Sequence, residues 1–165
     1  MTMPIQVSNA FIERYGQQSP LTHMKLQKLV FYANGWLLGI TRRPLVNERA
    51  QVWRYGPVFR SLYDVLTVYG NQRIDQPSRL NPFSNEIPTV PRNNSPDSQI
   101  IDWVWQRYGG FSAADLSDQT HAPGTPWRLI AEQYNFAVPF NTDMPDDLVQ
   151  AYFSRMAQAE GIITA

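Results

Sequence analysis

Between Thr22 and Ile40 the chain carries a helical pattern that leaves few choices for the rest of the fold. At about 100° per residue, Leu26, Leu29, Val30, Ala33, Leu37 and Ile40 fall in one sector, and Met24, Phe31 and Leu38 fall nearly opposite. A helix apolar on two sides must be sandwiched between neighbours, so this segment is expected to be the central helix, with Thr22 as its N-cap. Between the two faces runs a third stripe of Lys25, Lys28, Tyr32 and Trp36, with Gly35 and Gly39 beside it. Glycine costs a helix about 1 kcal/mol relative to alanine. A pair of glycines four apart therefore predicts close approach of another backbone.

Around this helix the pattern predicts a mainly α fold of about seven helices. The first runs from Pro4 to Tyr15, ended by Gly16. Residues Pro44 to Val58 read as irregular, with a short strand or hairpin around Ala50 to Trp53. A helix from Pro57 to Gly70 follows, then one from Asp97 to Tyr108, stopped by Gly109-Gly110. Ser112 and Asp115 resemble a capping box opening a short helix through Thr120. Trp127 to Tyr134 forms another, and the last, from Asp143 or Pro145 to Gly161, carries Leu148, Tyr152, Met156 and Ala159 on one stripe. Pro77, Pro82, Pro88, Pro91 and Pro96 forbid a continuous element across 71–96, which is expected to be a variable surface loop in a single domain spanning 1–165.

Several chemistries lack their residues. The chain has no cysteine, so disulfides, thiolate nucleophiles and zinc–thiolate sites are excluded. No glycine cluster matches a dinucleotide fingerprint or a P-loop, and His23 and His121 have no second ligand at metal spacing. Ser117, Asp118 and His121 are triad residue types without a nucleophile elbow, and Asp115 and Asp118 fit the solvated side of a short helix better than an acid/base pair. No cofactor, no metal and no enzymatic activity are expected. The N-terminus lacks the basic and apolar regions of a secretory signal, and every apolar run is too short to span a bilayer. A cytoplasmic protein is the natural expectation.

What the chain has in abundance is aromatic surface and an uneven charge. There are five Trp and eight Tyr, the residues that anchor protein interfaces as well as cores. Formal net charge is zero, yet Lys25, Lys28, Arg42, Arg43, Arg49, Arg54 and Arg60 crowd one segment, while acids dominate beyond Ser95. Two readings stand open: the halves neutralise each other by packing, or a basic face awaits an acidic partner. Trp53-Arg54-Tyr55-Gly56-Pro57-Val58 is a rigid turn with two large rings and a cation. Either it is a loop whose tryptophan plugs the core, or Tyr55, Arg54 or Arg60 contacts a partner. In the segment Leu116 to Trp127, Thr120, His121 and Thr125 can bond the free groups of a helix end. His121 fits a structural cap better than a contact. The candidate partner-binding residues are Lys25, Lys28, Tyr32, Arg54, Tyr55, Arg60 and His121.

Three ordered blocks carry a resemblance: Leu21-Thr22-His23-Met24-Lys25-Leu26-Gln27-Lys28-Leu29-Val30-Phe31-Tyr32-Ala33 with Arg43-Pro44-Leu45; Trp53 to Val58 with Ser61-Leu62-Tyr63; and Tyr108-Gly109 through Leu116-Ser117, Thr120-His121 and Pro126-Trp127. Together they resemble the Panacea domain family, which includes SocA-type antitoxins and phage-associated proteins. The resemblance implies a helical fold and an antitoxin role, in which the domain binds and neutralises a cognate toxin protein. Some members of the family also deliver the toxin to a protease, and the family offers no catalytic residues. Homo-oligomerisation stays open. The alternative, a nucleic-acid-binding transcriptional regulator, is disfavoured by the neutral total charge and the lack of a recognition-helix signature.

Overall fold

The computed structural model describes residues 1–164. Among them are seven α-helices and one small hairpin: α1 (Pro4–Tyr15), α2 (His23–Thr41), β1 (Gln51–Trp53), β2 (Gly56–Val58), α3 (Arg60–Leu66), α4 (Pro96–Tyr108), α5 (Ala113–Thr120), α6 (Pro126–Gln133) and α7 (Asp146–Ala159). The fold is mainly α, as the periodicity predicts. Helix α2 is its axis, touching α1, α3, α4, α5, α7 and β2. Thr22 caps it by accepting from the Lys25 amide. Every residue from Lys25 to Gly39 is buried, whereas Met24, expected on an inner face, is half exposed because it precedes the first enclosed turn.

A helix buried all round also buries its polar side chains, and each then needs a partner. Those partners are backbone groups of other segments. Lys25 Nζ donates to the Gly109 carbonyl behind α4 at 2.7 Å. The Gln27 amide pairs both ways with Phe59, accepting from its N–H at 2.9 Å and donating to its carbonyl at 3.2 Å. Lys28 Nζ donates to the Pro57 carbonyl of β2 at 3.2 Å. The Asn34 oxygen accepts from the amides of Leu45 and Val46 at 2.9 and 3.2 Å. The polar positions of α2 thus bracket three separate stretches of chain, around residues 45–46, 57–59 and 109.

The glycine pair works as a notch. A Cβ on Gly39 would lie 2.7 Å from the Phe153 carbonyl carbon and 2.8 Å from the Ser154 nitrogen, so close backbone approach holds there. A Cβ on Gly35 would instead overlap the Phe153 ring. Phe153 must point into that notch, which rotates α7 by one position from the expected stripe. Val149, Phe153 and Ala157 are buried, Leu148, Tyr152 and Met156 are only partly covered, and Ala159 is exposed.

One further expectation is corrected. Pro57 does not open a helix; it lies in β2 opposite Val52, and α3 begins only after the hairpin, at Arg60. Residues 71–95 form no helix or strand, as their prolines require, and most of them are exposed, but the segment is pinned at several points. Buried Asn9 donates to the carbonyls of Ser78 and Pro88 and accepts from the Ser78 amide, all at 2.8 Å, and Ile74 and Val90 are buried. The charged halves do partly neutralise each other, through Arg43–Asp97 at 2.6 Å and Arg49–Asp146 at 3.9 Å. No carboxylate among the described residues pairs with Arg54.

Candidate functional site

The three sequence blocks that carry the family resemblance converge on the β1–β2 hairpin. Gly56 turns it with φ +114°, and a Cβ there would lie 2.7 Å from Lys28 Cε and 2.8 Å from Thr120 Oγ1; only glycine fits both the dihedral and the space. The alternate carbonyls of the hairpin are each held by a side chain from a different helix. Trp127 Nε1 of α6 donates to the Trp53 carbonyl at 2.7 Å, Ser117 Oγ of α5 to the Tyr55 carbonyl at 2.7 Å, and Lys28 of α2 to that of Pro57. The outer edge of β1 is covered as well: Val52 N–H donates to the Thr142 carbonyl and Met144 N–H to that of Ala50. A two-stranded hairpin is marginal by itself; these braces make it rigid.

At its tip the hairpin presents Arg54 and Tyr55 to solvent. The Arg54 guanidinium lies 5.3 Å from the centre of the Tyr55 ring, which is 58% exposed. Arg60 is exposed nearby, paired with Asp64 at 3.1 Å and stacked 5.7 Å from the Phe140 ring. These three candidate residues share one surface. Lys25, Lys28 and Tyr32 do not: all are buried, so none belongs to an open docking face. Lys25 braces α4, Lys28 braces the hairpin from below, and Tyr32 stacks on Tyr108 at 4.0 Å. Burial pushes the Lys28 pKa down to about 7 and lowers that of Lys25, while it raises that of the Tyr32 hydroxyl.

His121 sits between these classes. It ends α5, its ring meets Trp127 edge-on at 3.9 Å, and its carbonyl accepts from Arg128 at 3.2 Å. Its Nε2 is enclosed without a hydrogen-bond partner. Burial, then the nearby Lys28 charge, hold its pKa below the usual histidine value. The neighbouring hydroxyls are committed to backbone carbonyls: Ser117 to Tyr55, Thr120 to Ser117 at 2.7 Å, and Thr125 to Thr120 at 2.7 Å. Neither Ser117 nor Thr120 bonds the imidazole. Among the described residues, no three of His, Asp and Glu gather where a metal could bind, and no helix is long and apolar enough to cross a membrane.

Beside the hairpin lies a groove of about 600 Å³, floored by Val52, Trp53, Trp127 and Ala131 and walled by residues 136–141. Phe136 and Phe140 of this wall are 57% and 73% exposed. The sequence reasoning passed over both rings, because a polar stretch with Asn135, Pro139 and Asn141 shows no periodicity. Their signal was that very mismatch: large apolar side chains where no helix or strand could bury them.

A family profile described as "Antitoxin SocA-like, Panacea domain" matches residues 26–128. A relative named Antitoxin SocA, from Caulobacter vibrioides (strain NA1000 / CB15N), is 30% identical over 114 residues, 68% of this chain. The matched stretch spans 61% of that relative's length. No solved structure matches. The profile covers both the helix that braces the hairpin and the hairpin itself, and on that evidence the chain belongs to the SocA-like antitoxin, Panacea domain family.

Proposed function

We propose that this protein is an antitoxin that acts in the cytoplasm, with residues 1–165 working as one unit to neutralise a cognate toxin protein by direct contact and without catalysis. Family membership supports the antitoxin role, and one observation carries the mode of action: the braced hairpin holds Arg54 and Tyr55 outward on a rigid support. Rigid aromatic and arginine side chains at the centre of a patch are what concentrates binding energy in a protein interface. A standard interface covers about 800 Å² on each partner, a small part of the 8577 Å² this chain exposes. Arg54, Tyr55 and Arg60 are the proposed contacts, with Lys28 bracing the hairpin beneath them. Delivery of the captured toxin to a protease is a second step of the same proposal.

The test is co-expression with the toxin encoded by the adjacent reading frame. The wild-type chain is expected to restore growth and to co-purify with the toxin. Arg54→Ala with Tyr55→Ala should lose both effects while keeping the wild-type melting temperature. Unchanged rescue by that double variant would remove the hairpin tip from the interface. Toxin half-life after synthesis is stopped reports on delivery: capture followed by degradation shortens it.

A further inference from the structure

The groove beside the hairpin is built unlike the rest of the surface. Its floor is apolar, and Arg54, its only charged lining residue, stands at the rim. The rim bears two further guanidinium groups, but each already has its counter-ion: Arg60 pairs with Asp64 and Arg128 with Glu132 at 2.9 Å. Arg54 has a ring beside it and no carboxylate partner among the described residues. The site is thus cationic at one point and, Asn141 apart, lined by apolar and aromatic residues.

The wall is held in a conformation the chain would not choose locally. Asn135, Phe136 and Asn141 all have positive φ, at 51°, 63° and 62°. A bulky aromatic residue rarely adopts the left-handed region, and such outliers persist only where surrounding structure enforces them. Here the Phe136 amide is tied to the Ala131 carbonyl at 2.7 Å, and Arg128 stacks 5.1 Å from the Phe136 ring. The result is a large ring fixed at the groove's mouth and left more than half exposed, an arrangement with no value to the core.

We propose that the groove seats a large apolar side chain of the partner protein, flanked on the same segment by a carboxylate that pairs with Arg54. This rests on the antitoxin reading above and names the feature of the toxin that the surface recognises. The volume suits the partner: small-ligand sites run to roughly 300–1,000 Å³, so about 600 Å³ holds one large ring with room for its backbone. The exposed ring of Phe140 in the wall and that of Tyr55 beyond it extend the apolar surface, where a free small molecule would leave Tyr55 wet and a protein segment would cover it. Charge complementarity selects the flank, since an acid meets the free Arg54 whereas a lysine there would meet like charge. The floor residues Val52, Trp53 and Trp127 fall within the family-matched stretch, but the wall at 136–141 lies past its end at residue 128. Partner choice therefore rests on a segment the family profile does not describe.

The test uses the full chain, isotopically labelled, and two blocked tripeptide probes: acetyl-Glu-Trp-Glu-amide and acetyl-Lys-Trp-Lys-amide. The acidic probe is expected to shift the amide resonances of Val52, Arg54, Ala131 and Phe136, and to saturate at a concentration at least tenfold lower than the basic one. Arg54→Glu, at an exposed position where an unchanged melting temperature is expected, should reverse that order. Equal binding of both probes, no binding, or shifts confined to another face would overturn the proposal. The same variant is then co-expressed with the adjacent toxin, with Arg79→Glu as a distant charge-reversed control. Loss of rescue in Arg54→Glu alone supports the groove. Full rescue by Arg54→Glu sinks the groove and leaves the antitoxin reading standing. Failure of the wild-type chain to rescue sinks the antitoxin reading and the proposal that rests on it.

Discussion

Lys28 Nζ donates to the carbonyl of Pro57 at 3.2 Å, a charge-bearing group buried in the fold with a backbone oxygen as its partner. Burial holds its pKa near 7, against about 10.4 for an unfolded lysine. Across that window the unfolded chain keeps a proton the folded chain has lost, so stability rises with pH, by up to about 1.4 kcal/mol per unit for one such group. His23 and His121 are also lowered by burial, but their contributions fall below the usual histidine value of about 6.5 and leave the window clear. Urea unfolding between pH 7 and 9.5 should therefore show stability increasing with pH in the wild type. Lys28→Met should show a flatter dependence, with the remainder due to Lys25. An identical slope in both proteins would mean that Lys28 is charged in the folded state.

The Gly39 notch predicts a loss that helix propensity would not. Gly39→Ala gains about 1 kcal/mol in an open helix, but here its methyl group would press on the backbone of Phe153 and Ser154. Overpacking of this kind costs roughly 1–3 kcal/mol, and neither α2 nor α7 has a flexible side chain to give way at that point. Chemical denaturation should place the variant below wild type in midpoint with an unchanged slope.

Asn9 is expected to control the 71–96 segment. Asn9→Leu preserves volume but strands the Ser78 amide and the carbonyls of Ser78 and Pro88, each buried group costing about 1–3 kcal/mol if left unpaired. The segment should release before the helices do. Limited proteolysis would then cut the variant between Arg79 and Ile87 under conditions that leave the wild type intact, while far-ultraviolet circular dichroism stays the same.

Trp127→Phe removes one brace of the hairpin, the donation to the Trp53 carbonyl, and keeps most of the aromatic volume. A net loss of about 1 kcal/mol in stability is expected for one hydrogen bond. Hydrogen exchange should quicken at Val52 and Val58 more than in α2, and toxin rescue should weaken along with it. Rescue at wild-type level with a loosened hairpin would show that the rigidity of the tip is not needed for binding.

Much of the fold was legible because helices announce themselves locally. The two-sided apolar pattern of α2, the Ser112–Asp115 capping box, which the structure contains, and the proline-broken 71–96 segment all follow from spacing and residue chemistry. The errors share one origin. Leu148 and Val149 are both apolar, so periodicity alone could not say which stripe of α7 faces inward until Phe153 met the notch at Gly35 and Gly39. Pro57 suits the first turn of a helix and a strand beside a tight turn equally well, and the packing of Lys28 and Thr120 against Gly56 decided between them. Of the candidate contacts, Arg54, Tyr55 and Arg60 are exposed, whereas Lys25, Lys28 and Tyr32 are buried, a difference their residue types did not signal.

The sequence alone determined that the chain is mainly helical, that the second helix is enclosed, and which residue types the chain lacks. Only the tertiary structure decided what the polar residues of that helix do. Lys25, Gln27, Lys28 and Asn34 bond backbone carbonyls and amides of distant segments, and such groups are the same at every position of every chain. A side chain that seeks another side chain leaves a signature in spacing and charge; one that seeks a peptide group leaves none. For that reason a stripe that reads in the sequence as a cationic, aromatic face proves in three dimensions to be a buried brace between α2, α4 and the hairpin.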